Sequence, residues 1–167
     1  AQAKMLCNIA ETHVFTNTKQ EYFSLGEDMY QRMLEDIATA EKFIYMEYFI
    51  IEEGKFWNSI LEILKQKAAS GVEVKLLYDD IGCMMTLPGD YHKTLRTYGI
   101  DAMPFSRLKG NADSEFNNRN HRKILVIDGK IGYTGGVNIA DEYINEIVKF
   151  GHWKDTGIML KGDAVWN

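Results

Sequence analysis

The spacing of apolar residues alternates between that of a helix and that of a strand along the first half of the chain. Positions three or four residues apart mark amphipathic helices, whereas short runs rich in aromatic and β-branched side chains mark buried strands. In chain order these patterns predict a helix over residues 26–41, a strand over 42–51, a helix from Phe56 to about Ser70, and a strand over 72–78.

The second half continues the alternation but adds two neighbouring strands. Asp128-Gly129 separates them and is a strong signal for a hairpin turn. The predicted elements are a helix over residues 90–98, a strand over 100–105, a polar loop over 106–118, strands over 121–128 and 130–134, a helix starting near Ile139, a strand over 156–162 and a first helical turn over 163–167. Strands that alternate with helices predict one α/β domain, residues 1–167, with a mixed β-sheet.

Composition excludes several classes of protein. The 167 residues carry a net charge of −5, which is unfavourable for general nucleic-acid binding, and we expect no nucleic-acid partner. Two cysteines far apart favour neither a disulfide framework nor a zinc site. No apolar run reaches the ~20 residues of a membrane span. The chain begins without methionine and ends in GDAVWN, so we expect a fragment of a longer protein.

One predicted strand begins with two basic residues, in the sequence NHRKILVIDG. His121 and Lys123 share one face of an extended chain and stand only about 7 Å apart along it, so both side chains can reach one anion. Two glycines, Gly135 and Gly136, follow, and then Asn138, which brings amide donors without charge. Taken separately, these residues are typical of a solvated strand edge and a turn. Together they suit the binding of a phosphodiester.

The order of these residues is that of a known signature. His121-x-Lys123 followed by Asp128 matches the His-x-Lys-x4-Asp pattern of the phospholipase D superfamily, and GGVN resembles its continuation. The passage from Asn120 to Asn145 resembles the first catalytic half of bacterial cardiolipin synthases. The resemblance covers about residues 20–166 and implies a phospholipase D-like fold with helices on both faces of the sheet.

The resemblance also implies residue roles. His121 would form a covalent phosphohistidine, although the nucleophile and the general acid could be exchanged between the two halves of such enzymes. Lys123, Asn138 and Gly136 would bind phosphate oxygens. Asp155, about thirty residues after the signature, would orient the histidine as a positioning carboxylate.

Three further acidic residues are candidates for a catalytic or a pocket role. Asp128 is a signature residue and therefore joins the candidate catalytic group, yet strand geometry places it about 23 Å from His121 on the other face, which indicates a structural role. Glu47, on a predicted buried strand, and Asp80, at the end of another, are candidate pocket residues. Phosphohistidine chemistry requires no metal or cofactor, and we expect none.

Three functions compete. The first is phosphatidyl transfer between two phosphatidylglycerol molecules, giving cardiolipin and glycerol at an anionic bacterial cell membrane. The second is a phosphodiesterase or nuclease that acts as a homodimer, because one signature supplies one histidine. The third is a non-enzymatic module that binds anionic lipid. In the synthases a second signature and membrane segments complete the chain, and neither is present in these residues, so we expect low activity unless this half pairs with a second one.

Overall fold

The fold is built on one seven-stranded mixed sheet with the strand order β1-β7-β6-β5-β2-β3-β4. The computed structural model describes residues 2–10, 12–107 and 118–167. The strands are β1 (Lys19–Phe23), β2 (Phe43–Tyr48), β3 (Glu73–Asp79), β4 (Ile100–Phe105), β5 (Ile124–Ile127), β6 (Ile131–Gly135) and β7 (Gly157–Lys161). The helices are α1 (Gln2–Ala10), α2 (Gly26–Ile37), α3 (Lys55–Ala69) and α4 (Tyr91–Thr97), with 3₁₀ helices at Asp141–Ile144 and Asp163–Trp166.

Strand β2 is where the sheet changes from parallel to antiparallel pairing. It pairs in parallel with β3, and α3 forms the crossover between them. It pairs in antiparallel with β5, which continues as a hairpin into β6. The carboxyl ends of β2 and β3 therefore lie at the same edge as the amino end of β5 and the carboxyl end of β6. We call this edge, which is formed by the ends of the strands, the site edge.

The two faces of the sheet are covered unequally. Alternate residues of β2, β3 and β5, such as Ile44, Val74 and Leu125, are buried in a core that includes the apolar sides of α2, α3 and α4. On the other face the second 3₁₀ helix places Val165 against Gly132. That face also holds a groove of about 300 Å³. The expected mixed α/β sheet is confirmed.

Several predicted boundaries are wrong. Strand β5 begins at Ile124, so His121 and Lys123 lie in the extended segment before the strand. The helix expected near Ile139 is only a 3₁₀ turn over Asp141–Ile144, because the backbone becomes left-handed at Asn145, with φ +53°, where an α-helix cannot continue. The Asp141 carboxylate caps α3, where it accepts the backbone N–H groups of Lys55 and Phe56 at 2.9 and 2.8 Å. Helix α1 and strand β1 were not predicted from the apolar pattern. None of the helices within the described ranges combines the length and apolar character needed to cross a bilayer.

The signature residue Asp128 lies at the edge of the sheet opposite the site edge. Its carboxylate accepts hydrogen bonds from three consecutive backbone N–H groups at the start of β2, those of Glu41, Lys42 and Phe43, at 2.9, 2.8 and 2.8 Å. Its own backbone is left-handed, with φ +53°. Assigning Asp128 to the catalytic group is therefore incorrect: it fixes the β5–β6 turn to β2, as the strand geometry indicated.

Replacing Asp128 tests this anchoring role. Asp128→Ala removes the acceptor of three amides and forces alanine into left-handed backbone, so we expect it to lower the free energy of unfolding by about 2–4 kcal/mol. Asp128→Asn keeps one carbonyl oxygen and tolerates the backbone, and should lose only about 1 kcal/mol. Urea unfolding at pH 7 measures both. An equal loss in the two variants would contradict the anchoring role.

The same anchor predicts a pH dependence. Burial raises the pKa of Asp128, but the backbone N–H bonds from Phe43, Glu41 and Lys42 outweigh it and the net pKa is lowered. A carboxyl with a lowered pKa in the folded state contributes stability that is fully present above its unfolded pKa of about 3.9 and is lost as pH falls through the folded pKa. The difference in unfolding free energy between wild type and Asp128→Asn should therefore shrink on acidification below about pH 4. A constant difference would exclude the carboxylate as its source.

Candidate active site

The signature histidine and lysine converge on one point at the site edge. His121 is exposed, whereas the Lys123 side chain turns inward and that residue is 4% exposed. The Lys123 Nζ lies 3.1 Å from Nδ1 and 3.4 Å from Nε2 of the His121 ring, and it donates to the His121 carbonyl oxygen at 2.8 Å. The prediction that the two side chains share one face is confirmed, although no strand hydrogen bonds hold this segment.

An aromatic residue that sequence reasoning did not select supports both groups. The Phe49 ring lies 4.5 Å from the His121 ring, centroid to centroid, and 5.4 Å from the Lys123 Nζ. Phe49 directly follows β2, so the central strand of the sheet delivers it to the site edge. It limits the rotation of the histidine ring and shields one side of the ammonium from water. Its place in an aromatic-rich strand gave no separate signal in the sequence.

The Lys123 ammonium is a buried cation with little compensation. Burial lowers the pKa of Lys123, and the nearby Asp155 carboxylate opposes part of that decrease. Within the described ranges, no carboxylate lies within ion-pair distance of Lys123. A buried charge without a paired counter-charge is unfavourable, so the site favours the entry of an anion.

Gly135, the last residue of β6, and Gly136 allow close packing of the backbone, which differs from the phosphate-binding role expected for Gly136. The Gly136 N–H already donates to the Thr156 carbonyl oxygen at 3.0 Å, which leaves it no free donor for phosphate. A β-carbon at Gly136 would overlap the Asp155 carboxylate, and one at Gly135 would overlap the backbone of Thr156 and Gly157. The glycines therefore let the chain before β7 pack against the end of β6, which brings Asp155 to the site edge.

Asn138 is buried and joins two walls of the site. Its Oδ1 accepts the Ile50 N–H at 3.0 Å and its Nδ2 donates to the Tyr143 hydroxyl at 2.9 Å. The second hydrogen on Nδ2 has no acceptor among the described residues and can be donated to a ligand. Asp155 accepts the Thr156 N–H at 2.8 Å, its one hydrogen bond to a described residue. Its orienting role toward His121 therefore remains a prediction.

Asp79 organises the segment that leads into His121. Its side chain is 0% exposed and accepts the backbone N–H groups of Ile81 and Gly82 at 3.0 and 2.9 Å. It also accepts the Asn120 N–H and the Arg119 guanidinium, both at 3.2 Å. The carboxylate thus ties the end of β3 to the residue directly before the histidine. The sequence signal was its position at the carboxyl end of a strand, which it shares with Asp80.

The two candidate pocket acids lie in different places. Glu47 is half-buried, accepts a hydrogen bond from Asn120 Nδ2, and pairs with the Arg122 guanidinium at 3.0 Å. It therefore holds the residues on either side of His121. Asp80 instead lines a separate cavity of about 200 Å³ with Tyr78 and Arg107, and is not brought to the histidine. In the part of the chain that the structure describes, no group of three metal-binding side chains occurs.

Comparison with known proteins identifies the family. Residues 33–148 match the model described as cardiolipin synthase, PLD-like domain. A cardiolipin synthase of Staphylococcus aureus is 39% identical over 161 residues, which covers 90% of this chain and 30% of the relative. This chain belongs to the cardiolipin synthase family of phospholipase D-like domains. It spans about a third of the length of the curated relatives that it matches.

Solved structures share the fold at low sequence identity. NucT from Helicobacter pylori superposes with a TM-score of 0.65 at 17% identity, covering 88% of this chain and 87% of that one. The phosphatidylserine synthase of Haemophilus influenzae gives a TM-score of 0.64 at 18% identity, covering 86% of this chain and 33% of that one. At such identities the likeness establishes the phospholipase D-like fold alone.

The buried ammonium predicts a conflict between stability and binding. Lys123→Met keeps most of the side-chain volume and removes a buried charge, so we expect no loss of unfolding free energy. The same variant should lose affinity for inorganic phosphate or vanadate, because the cation at the bottom of the site is gone. Urea unfolding and isothermal titration measure the two effects. Destabilisation by more than about 1 kcal/mol would show that the hydrogen bonds of Lys123 to His121 outweigh the cost of burying a charge that has no ion pair with a described residue.

In contrast to Lys123→Met, a substitution of Asp79 should lower the unfolding free energy. Asp79→Ala leaves the Arg119 guanidinium and three backbone amides without their buried acceptor, and should lower the unfolding free energy by about 3–5 kcal/mol. The exposed Glu53, on the loop after β2, gives the control: Glu53→Ala should change it by less than about 0.5 kcal/mol. An Asp79→Ala variant as stable as this control would show that the network does not hold the segment before His121.

Proposed function

We propose that this chain is the first catalytic half of a phosphatidyltransferase that converts two phosphatidylglycerol molecules into cardiolipin and glycerol. The observation that carries the proposal is the buried Lys123 ammonium beside the exposed His121 ring. The cation draws a phosphodiester inward, and the imidazole beside it can attack phosphorus. Membership of the cardiolipin synthase family supports a lipid diester as the substrate.

In the first step a ring nitrogen of His121 bonds to the phosphorus of one phosphatidylglycerol. The bond between phosphorus and the glycerol headgroup oxygen breaks, and that oxygen takes a proton from a general acid, so glycerol leaves. Lys123 and the free Nδ2 hydrogen of Asn138 stabilise the negative charge on the non-bridging oxygens. The product on the protein is a phosphatidyl-histidine.

In the second step the free hydroxyl of another phosphatidylglycerol attacks the same phosphorus. The nitrogen–phosphorus bond breaks, cardiolipin forms, and the hydroxyl proton returns to the group that served as acid. Attack by water would instead give phosphatidic acid, so the second step depends on excluding water. Exchanging the roles of His121 and the acid leaves the balance of atoms unchanged.

The general acid is assigned to a second histidine outside this signature. It would come from a second phospholipase D half of the same protein or from a second copy of this chain. We therefore expect the isolated chain to be weakly active or inactive. Because the proposed substrate, phosphatidylglycerol, is a membrane lipid, we expect the complete enzyme to act at a bacterial cell membrane. Asp155 is proposed to orient the His121 ring once the halves are joined, as a positioning carboxylate.

Lipid analysis tests the reaction. The full-length protein, wild type and His121→Ala, is incubated with phosphatidylglycerol, and cardiolipin and glycerol are measured by mass spectrometry. We expect both products from wild type and a loss of at least about a thousandfold in His121→Ala. The control is His13→Ala, because His13 is exposed and bonds to Asn167 through its backbone alone. This variant should retain full activity.

The alternative functions give other results. Turnover of single-stranded DNA or a simple aryl phosphodiester by a dimer of this chain, without cardiolipin, would favour the homodimeric phosphodiesterase. Unchanged lipid binding with no turnover in either wild type or His121→Ala would favour a binding module. Cardiolipin formation that survives His121→Ala would overturn the assignment of the histidine to the chemistry.

A further inference from the structure

Two loops at the site edge expose large apolar side chains. The loop after β3 presents Met84 and Met85, and the loop before β7 presents Ile147, Val148 and Phe150. Met85, Val148 and Phe150 are 88%, 82% and 75% exposed. We call these five side chains the apolar rim. Their exposure in two separate loops at one edge calls for an explanation, because clustered exposed apolar groups mark interaction surfaces.

The first loop is attached to the wall of the active site. The Thr86 hydroxyl donates to the Ile51 carbonyl oxygen at 2.6 Å, and the Ile51 N–H lies 3.2 Å from the Cys83 Sγ, which accepts it. Ile51 is two residues from Phe49, the ring that packs on His121. The loop that carries Met84 and Met85 is therefore bonded to the segment that follows β2 and carries Phe49.

The second loop is attached to the opposite wall. The Phe150 ring lies 5.9 Å from the Trp153 ring, and Trp153 lies 4.6 Å from Tyr143. The Tyr143 hydroxyl in turn accepts the hydrogen bond from Asn138. A continuous aromatic contact therefore runs from the loop tip to the candidate phosphate site. Lys149 fixes the same loop from its other side, 2.9 Å from Glu142 and 3.6 Å from Glu52.

We infer that the apolar rim inserts into the surface of an anionic bilayer and so brings His121 to the level of the lipid phosphates. The inference rests on the proposed function, because it concerns how a bilayer lipid reaches that same site. Side chains of peripheral proteins enter about 5–10 Å into the headgroup and acyl boundary. Because His121 and the rim loops lie at the same edge of the sheet, insertion of the rim would bring the histidine toward the lipid phosphates.

The residues between the rim side chains suit a bilayer better than a second protein. Lysines and an aromatic ring interleave with the apolar residues in the sequence IVKFGHWK, from Ile147 to Lys154. Basic and aromatic residues together are typical of surfaces that bind anionic membrane interfaces, where a lysine without a carboxylate partner attracts the negative surface. Lys154 is exposed and has no ion pair with any residue of the described ranges, so its charge is available.

Tryptophan quenching tests the contact directly. The chain has three tryptophans: Trp57 is buried in the core, Trp166 is exposed near the opposite edge, and Trp153 underlies the rim. In a Trp166→Phe background, Trp153 is the residue that reports membrane contact. We expect its emission to be quenched by vesicles of phosphatidylcholine and phosphatidylglycerol that carry brominated acyl chains, but not by brominated phosphatidylcholine alone.

A matched pair of double variants distinguishes membrane binding through the apolar rim from nonspecific binding through other exposed apolar side chains. Val148→Ser/Phe150→Ser removes two exposed apolar side chains from the rim, and we expect vesicle partitioning to fall at least about tenfold. Val14→Ser/Tyr98→Ser removes two exposed apolar side chains near the other edge and should not change it. Equal partitioning of the two variants overturns the inference. Self-association through the rim, seen by sedimentation without quenching, also overturns it in favour of a second copy.

Turnover by the full-length protein distinguishes failure of this contact from failure of the proposed function. The rim variant should keep the wild-type rate on a short-chain phosphatidylglycerol dissolved below its micelle concentration, and lose rate on vesicles. Equal loss on both substrates contradicts a membrane role. Rim-dependent vesicle binding by a protein that turns over neither substrate would sink phosphatidyl transfer and leave the membrane contact standing.

Discussion

The buried ammonium of Lys123 is the constraint on which the rest of the site depends. Removing such a charge from water costs several kcal/mol unless an anion pairs with it, and among the residues that the structure describes the nearby Asp155 carboxylate gives only partial compensation. The fold must therefore supply rigidity around the lysine from other sources. Phe49 packs against it, Asp79 fixes the segment before it, and Asn138 joins the two neighbouring walls. These contacts keep the cation in place without neutralising it, which is the arrangement that an anionic substrate can complete.

The pairing of β2 explains how residues far apart in sequence meet at one edge. A parallel neighbour on one side and an antiparallel neighbour on the other place the end of β3, the approach to β5 and the end of β6 together. Asp128 secures this arrangement from the far edge, because it binds the first amides of β2 and fixes where the β5–β6 hairpin turns. A slip of one residue in the β2–β5 pairing would send Lys123 to the opposite face of the sheet. The signature aspartate thus helps to set the strand register from the end of the sheet opposite the site edge.

Patterns within single segments predicted much of the fold, and contacts between segments explain what they missed. The period of the apolar residues located α2, α3 and the central strands, since each buries one face in the core. The spacing of His121 and Lys123 predicted their convergence because residues two positions apart on an extended chain share one face. The helix expected near Ile139 ends after one 3₁₀ turn because the backbone is left-handed at Asn145, whose side chain donates to Glu27. The phosphate role given to Gly136 does not fit because its N–H donates to Thr156. Neither contact leaves a trace in local periodicity, since both partners are distant in sequence.

In the proposed reaction, the unequal exposure of His121 and Lys123 suits them to two tasks, attack on phosphorus by the histidine and charge stabilisation by the lysine. A nucleophile must approach phosphorus from the side opposite the leaving group, so an exposed ring on a fixed support suits it. A charge that stabilises the non-bridging oxygens acts more strongly where water is excluded, which suits the buried ammonium. In the proposed reaction, an exposed nucleophile also requires that something else exclude water during the second transfer, when hydrolysis would compete. A bilayer surface seated on the apolar rim and a second half closing over His121 would together meet that requirement, because each would cover a side of the histidine that this chain leaves open.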